Sequence, residues 1–205
     1  MEETDNIAVS NAWQERWKDA SKIQQLTLLG RQAFKAKRKA LEKIIKKIDV
    51  GKVIEVGCGL GYTLKVFKDA GLDCVGIDIS PEAVSFCKKK ALPAVQKRLE
   101  DVTEQYDLVS SDGMLEHFLD FEPYAKYLMR ISRKYVLLIQ PNHDSFRGKT
   151  LVYLAGLSRS KTNVYEYNYR IEDFVRVFKK NNFYLEQDNP VFFNMYRLLL
   201  FKKRS

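Results

Sequence analysis

Apolar positions along this chain follow two periods, helical before residue 50 and strand-like after it. From Asn11 to Ile48 the spacing predicts helix, in two pieces divided near Gly30. In the second piece Phe34, Leu41, Ile44, Ile45 and Ile48 fall on one stripe, with lysines and arginines opposite. From Lys52 onward short apolar runs alternate with amphipathic stretches, the pattern of parallel strands joined by crossover helices. It predicts strands at Lys52 to Val56, Asp73 to Ile77, Val95 to Leu99, Tyr106 to Ser110 and Tyr135 to Gln140. Ser80-Pro81-Glu82 opens a helix as cap, first-turn proline and first-turn acid, and Lys88 to Lys90 suit its negative end. Gly71 fits the position just past a helix that begins near Tyr62. After Pro141 the pattern loosens into an insertion with a short helical stretch, Thr150 to Leu157. Arg170 to Lys180 then reads as a helix, and Phe183 to Gln187 with Phe193 to Phe201 as an antiparallel pair turned at Asp188-Asn189-Pro190.

These elements make one α/β domain, in accord with a length of 205 residues. Its parts are a helical cap (1–50), a core (51–140), an insertion or lid over the open end of the sheet (141–168) and a closing helix with antiparallel strands (169–205). Hydrophobic residues at 45% and charged residues at 30% give a globular balance. No apolar run is long enough for a membrane span. The acidic, polar start is the reverse of a secretory signal, so cytoplasmic residence is the expectation. Cys58, Cys74 and Cys87 form no Cys-x-x-Cys pair and read as buried small side chains rather than a disulfide or zinc framework. The net charge of +9 is concentrated between Arg31 and Lys47, as a solvated helix face or a surface for nucleic acid or another anion.

The chemistry lies in Val53-Ile-Glu-Val-Gly-Cys-Gly-Leu-Gly61. Gly57, Gly59 and Gly61 fall where a strand turns into a helix, so the chain can bend tightly and bring its backbone against a ligand. Asp78 ends the next strand about twenty residues on, where a carboxylate can accept both hydroxyls of a ribose. A dinucleotide oxidoreductase needs a glycine at position 62, which is Tyr62 here.

The run Glu55-x-Gly57-x-Gly59-x-Gly61, then Gly76-Ile-Asp78, then Tyr106 through Phe118 with its Leu115-Glu116-His117, resembles the class I S-adenosylmethionine-dependent methyltransferases. Within them the likeness is to the broad small-molecule group that includes quinone-biosynthesis enzymes. The resemblance implies a Rossmann-like, doubly wound, mostly parallel seven-stranded sheet with an antiparallel C-terminal strand, carrying S-adenosylmethionine as cofactor. It implies that Gly57, Cys58, Gly59 and Gly61 lie along the cofactor's amino-acid and ribose part, supported by Glu55. Asp78 then takes the ribose hydroxyls and Ile79 packs on adenine. Glu100, Asp101 and Val102 meet the adenine amino group and ring, and Ser110 and Ser111 lie near the methionine moiety. The family's usual acid before Leu-Glu-His is here Gly113, so no acid-based or metal-based role is carried over.

Methyl transfer from a sulfonium is an in-line displacement that depends mainly on alignment and water exclusion. His117 and His143, the chain's two histidines, are the candidate bases for a hydroxyl or amine acceptor. Glu116, His117 and His143, with Asp112, are suitable metal ligands by type, but no tight spacing marks a metal site. Trp13 and Trp17, one turn apart, either cover a pocket or pack an N-terminal helix. Trp17, Phe146, Tyr153, Tyr165 and Tyr167 are the candidate acceptor contacts, and basic residues in the insertion point to an anionic or aromatic small molecule. An RNA substrate and a cofactor-binding protein without turnover are the alternatives. Against RNA, the fourth strand lacks the Asn/Asp-Pro-Pro-aromatic run of enzymes that methylate nucleic-acid amino groups.

Overall fold

The computed structural model describes residues 28–145 and 166–204, together with Ala12, Trp13, Glu15 and Trp17 of a preceding helical segment. Helix α1 (Leu28–Ile45) runs through Gly30, and the residues just ahead of Leu28, where the expected division would fall, lie outside the described ones. One glycine costs a helix about 1 kcal/mol, which the burial of Leu41 and Ile44 outweighs.

Seven strands form one sheet: β1 (Lys52–Val56), β2 (Asp73–Asp78), β3 (Ala94–Gln96), β4 (Tyr106–Asp112), β5 (Ser132–Pro141), β6 (Phe183–Val191) and β7 (Tyr196–Lys203). Their order across the sheet is β3-β2-β1-β4-β5-β7-β6. Strands β1 to β5 are parallel, and β7 runs antiparallel to both of its neighbours. The central strands are buried on both faces because helices cover both sides, which is why they read as near-continuous apolar runs. On one face α1 and α2 (Tyr62–Asp69) pack Leu41, Ile44, Val66 and Phe67 against Val53, Leu108, Leu137 and Leu198. On the other, α4 (Glu122–Arg130) and α5 (Ile171–Lys180) bring Leu128, Phe174 and Phe178 onto Val109, Val136 and Phe201. Helix α3 (Pro81–Lys89) starts as its sequence predicts, with Ser80 Oγ accepting the Ala83 amide at 3.2 Å.

Two expectations are corrected. The third strand stops at Gln96, and Leu99–Asp101 form a 3₁₀ turn. This strand is the sheet's edge, where Val95 stays exposed and short strands are favoured. The last turn is made not by Asp188-Asn189-Pro190 but by Phe192, Phe193 and Asn194, all at positive φ. Pro190 instead pairs with Arg197 inside β6. The opposite edge strand is β6, and an edge strand tolerates a proline's missing N–H.

The strand order reverses between β1 and β4, so a crevice opens at the carboxyl ends of these strands. The segments after β1, β2 and β4 converge on it.

Candidate active site

After Val56 the chain turns through Gly57 (φ 71°), Gly59 (φ 48°) and Gly61 (φ 71°) into α2. Two amides, those of Gly57 and Cys58, donate to the Ile77 carbonyl at 2.9 and 3.0 Å and tie the loop to the end of β2. Asp78 completes the tie. Its Oδ2 accepts the Gly59 amide at 2.8 Å and its Oδ1 the Ser80 amide at 2.9 Å. Burial raises the Asp78 carboxyl above its ordinary pKa, against the pull of the Ser80, Gly59 and Ile79 amides.

A cavity of about 650 Å³ opens over this loop. Among the expected cofactor residues, Glu55, Gly57, Cys58, Gly59, Asp78, Ile79 and Glu100 line it. Others do not. Gly61 lies behind the wall, where an added Cβ would sit 2.5 Å from Leu92 Cδ1 and 2.8 Å from Cys87 Sγ, so this glycine serves helix packing. Val102 is buried in the core on the far side of its turn, and Asp101 is exposed. Ser110 and Ser111 are buried within β4 short of the cavity, and Ser111 Oγ donates to the Val56 carbonyl at 3.2 Å. The strand continues to Asp112, which reaches the cavity in their place.

Beyond the loop the lining is aromatic and acidic, with the basic Lys97 and Arg98 on the side of β3. Trp17 lies on the glycine loop, its Cζ2 3.0 Å from where a Cβ of Gly59 would be. Trp13 stacks on Trp17 at 5.3 Å between centroids and meets His117 edge-on at 4.9 Å. Both tryptophans line the cavity, so they cover the pocket as well as pack their helix. Phe118 and Tyr124 are stacked and also line it. Asp112 is held from two sides, by Lys37 Nζ at 2.6 Å and by Thr63 Oγ1 at 3.0 Å. Burial pulls the Lys37 ammonium down, but Asp112 outweighs it and holds the pKa above its usual range. Glu55, 2% exposed, has one carboxylate oxygen with no hydrogen-bond partner. Burial, then Asp112, pushes its pKa well above the carboxylate range.

His117 lines the cavity and His143 does not. Tyr167 lies off it, its amide donating to the Glu116 carbonyl at 2.8 Å. Phe146, Tyr153 and Tyr165 fall outside the described residues. Among the described residues no three His, Cys, Asp or Glu side chains are placed to hold a metal ion. Nor is any helix there long and apolar enough to cross a membrane. Sequence reasoning missed Tyr62, Thr63, Met114, Phe118 and Tyr124 in the lining, and Lys37 behind it. A helix-borne lysine inside a basic run carries no local signal that it turns inward.

A mostly parallel sheet in this order, a glycine loop after β1 and a carboxylate at the end of β2 together define the fold of class I S-adenosylmethionine-dependent methyltransferases. The chain belongs to the methyltransferase domain family, which matches residues 29–188. It is similar to a ubiquinone biosynthesis O-methyltransferase of Leptothrix cholodnii, 29% identical over 91 residues, 39% of each chain. It is also similar to ajmaline N-methyltransferase of Rauvolfia serpentina, 29% identical over 103 residues, 44% of this chain and 35% of that one. The matches thus span about two fifths or less of the relatives' length. Among solved structures, magnesium protoporphyrin IX methyltransferase from Synechocystis PCC 6803 with bound S-adenosylhomocysteine superposes with a TM-score of 0.70 at 17% identity, covering 88% of this chain and 89% of that one. An S-adenosylmethionine-dependent methyltransferase from Thermotoga maritima gives a TM-score of 0.72 at 14% identity, covering 96% and 100%.

Proposed function

We propose that this protein binds S-adenosylmethionine in the cavity above the glycine loop and transfers its methyl group to a small-molecule acceptor. The observation that carries this is the Asp78 carboxylate bonded to the Gly59 amide at 2.8 Å, with both residues lining one cavity. Each of its oxygens keeps a lone pair for a ribose hydroxyl. The buried, unpartnered oxygen of Glu55 fits the group too, because a carboxylate at the lining has use for the cofactor's ammonium.

When bound, the cofactor supplies a sulfonium methyl that leaves as the S–C bond breaks and the acceptor–C bond forms. The chain's residues supply alignment. Gly57 and Gly59 let Met114 and Trp17 lie close on the loop, Ile79 offers an apolar face to the adenine, and Trp13 and Trp17 keep water from the cavity. His117 is the imidazole within reach of an acceptor there, and takes the proton of a hydroxyl or amine. The O- and N-methyltransferase relatives support small-molecule acceptors of this kind.

Titration calorimetry with S-adenosylhomocysteine tests the reading. The wild type should bind, and Asp78→Ala should weaken binding by about tenfold to a hundredfold, the worth of one or two bonds to a charged group. A wild type that gives no binding isotherm with S-adenosylhomocysteine would refute it.

A further inference from the structure

We propose that Trp13 and Trp17 form the face on which the methyl acceptor lies, and that they select a flat aromatic ring. This rests on the methyltransferase reading above and adds the acceptor's class to it.

Three observations carry it. Trp17 is seated on the glycine loop at Gly59 and Trp13 is stacked on Trp17 with its planes 23° apart, so the pair is fixed at one end. At the other end Trp13 meets His117, which follows β4, in an edge-on contact at 4.9 Å. The tryptophans therefore bridge from the cofactor loop to the residue placed to take the acceptor's proton. Secondly, the lining beside the tryptophans and His117 offers rings, while the basic Lys97 and Arg98 lie apart from them, with Glu100 after β3. Phe118 and Tyr124 form a second stack in it, 3.7 Å between centroids, while Asp112 is already engaged by Lys37 and Thr63. Thirdly, both tryptophans lie ahead of residue 29, outside the stretch that matches the family. Rings stack on rings with offset faces in close contact, and a puckered saturated ring of equal size loses much of that contact.

The test uses the full chain saturated with S-adenosylhomocysteine and two probes of one carbon skeleton, 1-naphthol and decahydro-1-naphthol, each titrated by calorimetry. Both carry one hydroxyl and both are apolar, so flatness is the variable. The wild type should prefer 1-naphthol by about tenfold. Trp13→Ala should reduce the preference to less than about threefold, and Trp13→Phe, which keeps a ring, should retain most of it. Equal affinity for the two probes in the wild type, or a preference that survives in Trp13→Ala, overturns the proposal. If Trp13→Ala loses S-adenosylhomocysteine as well, Trp13→Phe decides, since loss of preference there with cofactor binding intact also overturns it. Failure of the wild type to bind S-adenosylhomocysteine is a different result, and sinks the methyltransferase reading itself.

Discussion

Single residues in this site are set by burial more than by partners. Glu116 follows β4, is 4% exposed and has one carboxylate oxygen without a hydrogen-bond partner. Its pKa is pushed up to about 8, first by burial and then by Glu166 and Asp112, against the pull of its own amide and Lys37. The folded state therefore holds a proton that the unfolded chain releases above its ordinary value of 4.5. Its favourable contribution is full below that value and is lost as pH rises through about 8. Glu116→Gln should remove this slope, which reaches at most about 1.4 kcal/mol per pH unit. Thermal unfolding of both proteins at pH 6 and pH 8.5 checks it, and the variant should gain on the wild type at the higher pH. A constant difference between them would show that the carboxyl does not titrate in the fold. Glu116 and His117 were legible as a pair in the sequence, but only the fold separates them. His117 faces the cavity while Glu116 turns under Gly113, 3.3 Å from where a Cβ would be. The place of Asp78 at the end of β2 is legible in the sequence, whereas β4 runs on past Ser110 and Ser111 to Asp112, which alone of the three lines the cavity.

At the scale of elements, glycines decide how closely helices and strands approach, and the structure separates two reasons for them. Gly71 sits at φ 76° with nothing within 4 Å of an added Cβ. Gly76, in β2, has ordinary backbone, but its added Cβ would lie 2.7 Å from Leu64 Cδ2 and 2.9 Å from Cys58 Sγ. Gly61 combines a positive φ with contacts to Leu92 and Cys87. Alanine should therefore cost about 1 kcal/mol at Gly71 from conformation, about 1–3 kcal/mol at Gly76 from overpacking, and most at Gly61. Urea midpoints of the three variants give the order. If Gly71→Ala proved as costly as Gly61→Ala, close packing of α2 and α3 would not be the reason for the third glycine. The same contrast explains what could be read beforehand. Elements with period and punctuation, such as β1 and α3, came out with their ends nearly right. The C-terminal turn did not, because Asp188-Asn189-Pro190 carries the strongest local turn signal while Phe192 and Phe193 carry none. There, pairing of β6 to β7 along most of its length overrode local preference.

Across the whole molecule, the helical N-terminal part and the sheet are joined at the site itself. The basic run of α1 reads in sequence as one surface, yet the fold divides it. Arg38 pairs with Glu42 and Asp69 near solvent, Lys43 is exposed, and Lys37 turns inward to Asp112 and lies over the ring of Tyr196. One lysine thus connects α1, β4 and β7 at the edge of the cavity. Removing one member of an ion pair leaves the other's charge without its counterion, at a cost that grows with burial. The pair is part-buried, 17% and 20% exposed, and Asp112 keeps the Thr63 hydroxyl. Lys37→Ala should therefore destabilise the protein by about 1–2 kcal/mol, and Lys43→Ala by less than about 0.5 kcal/mol. Adding Asp112→Asn to Lys37→Ala should recover part of the loss, because the orphaned carboxylate is then neutral. Chemical denaturation of the three variants measures all of this. A loss at Lys37 no larger than at Lys43 would mean that α1 is held by Leu41 and Ile44 alone. Recovery in the double variant would instead establish that the charge left on Asp112, and not the missing side chain, weakens the join between the N-terminal helix and the site.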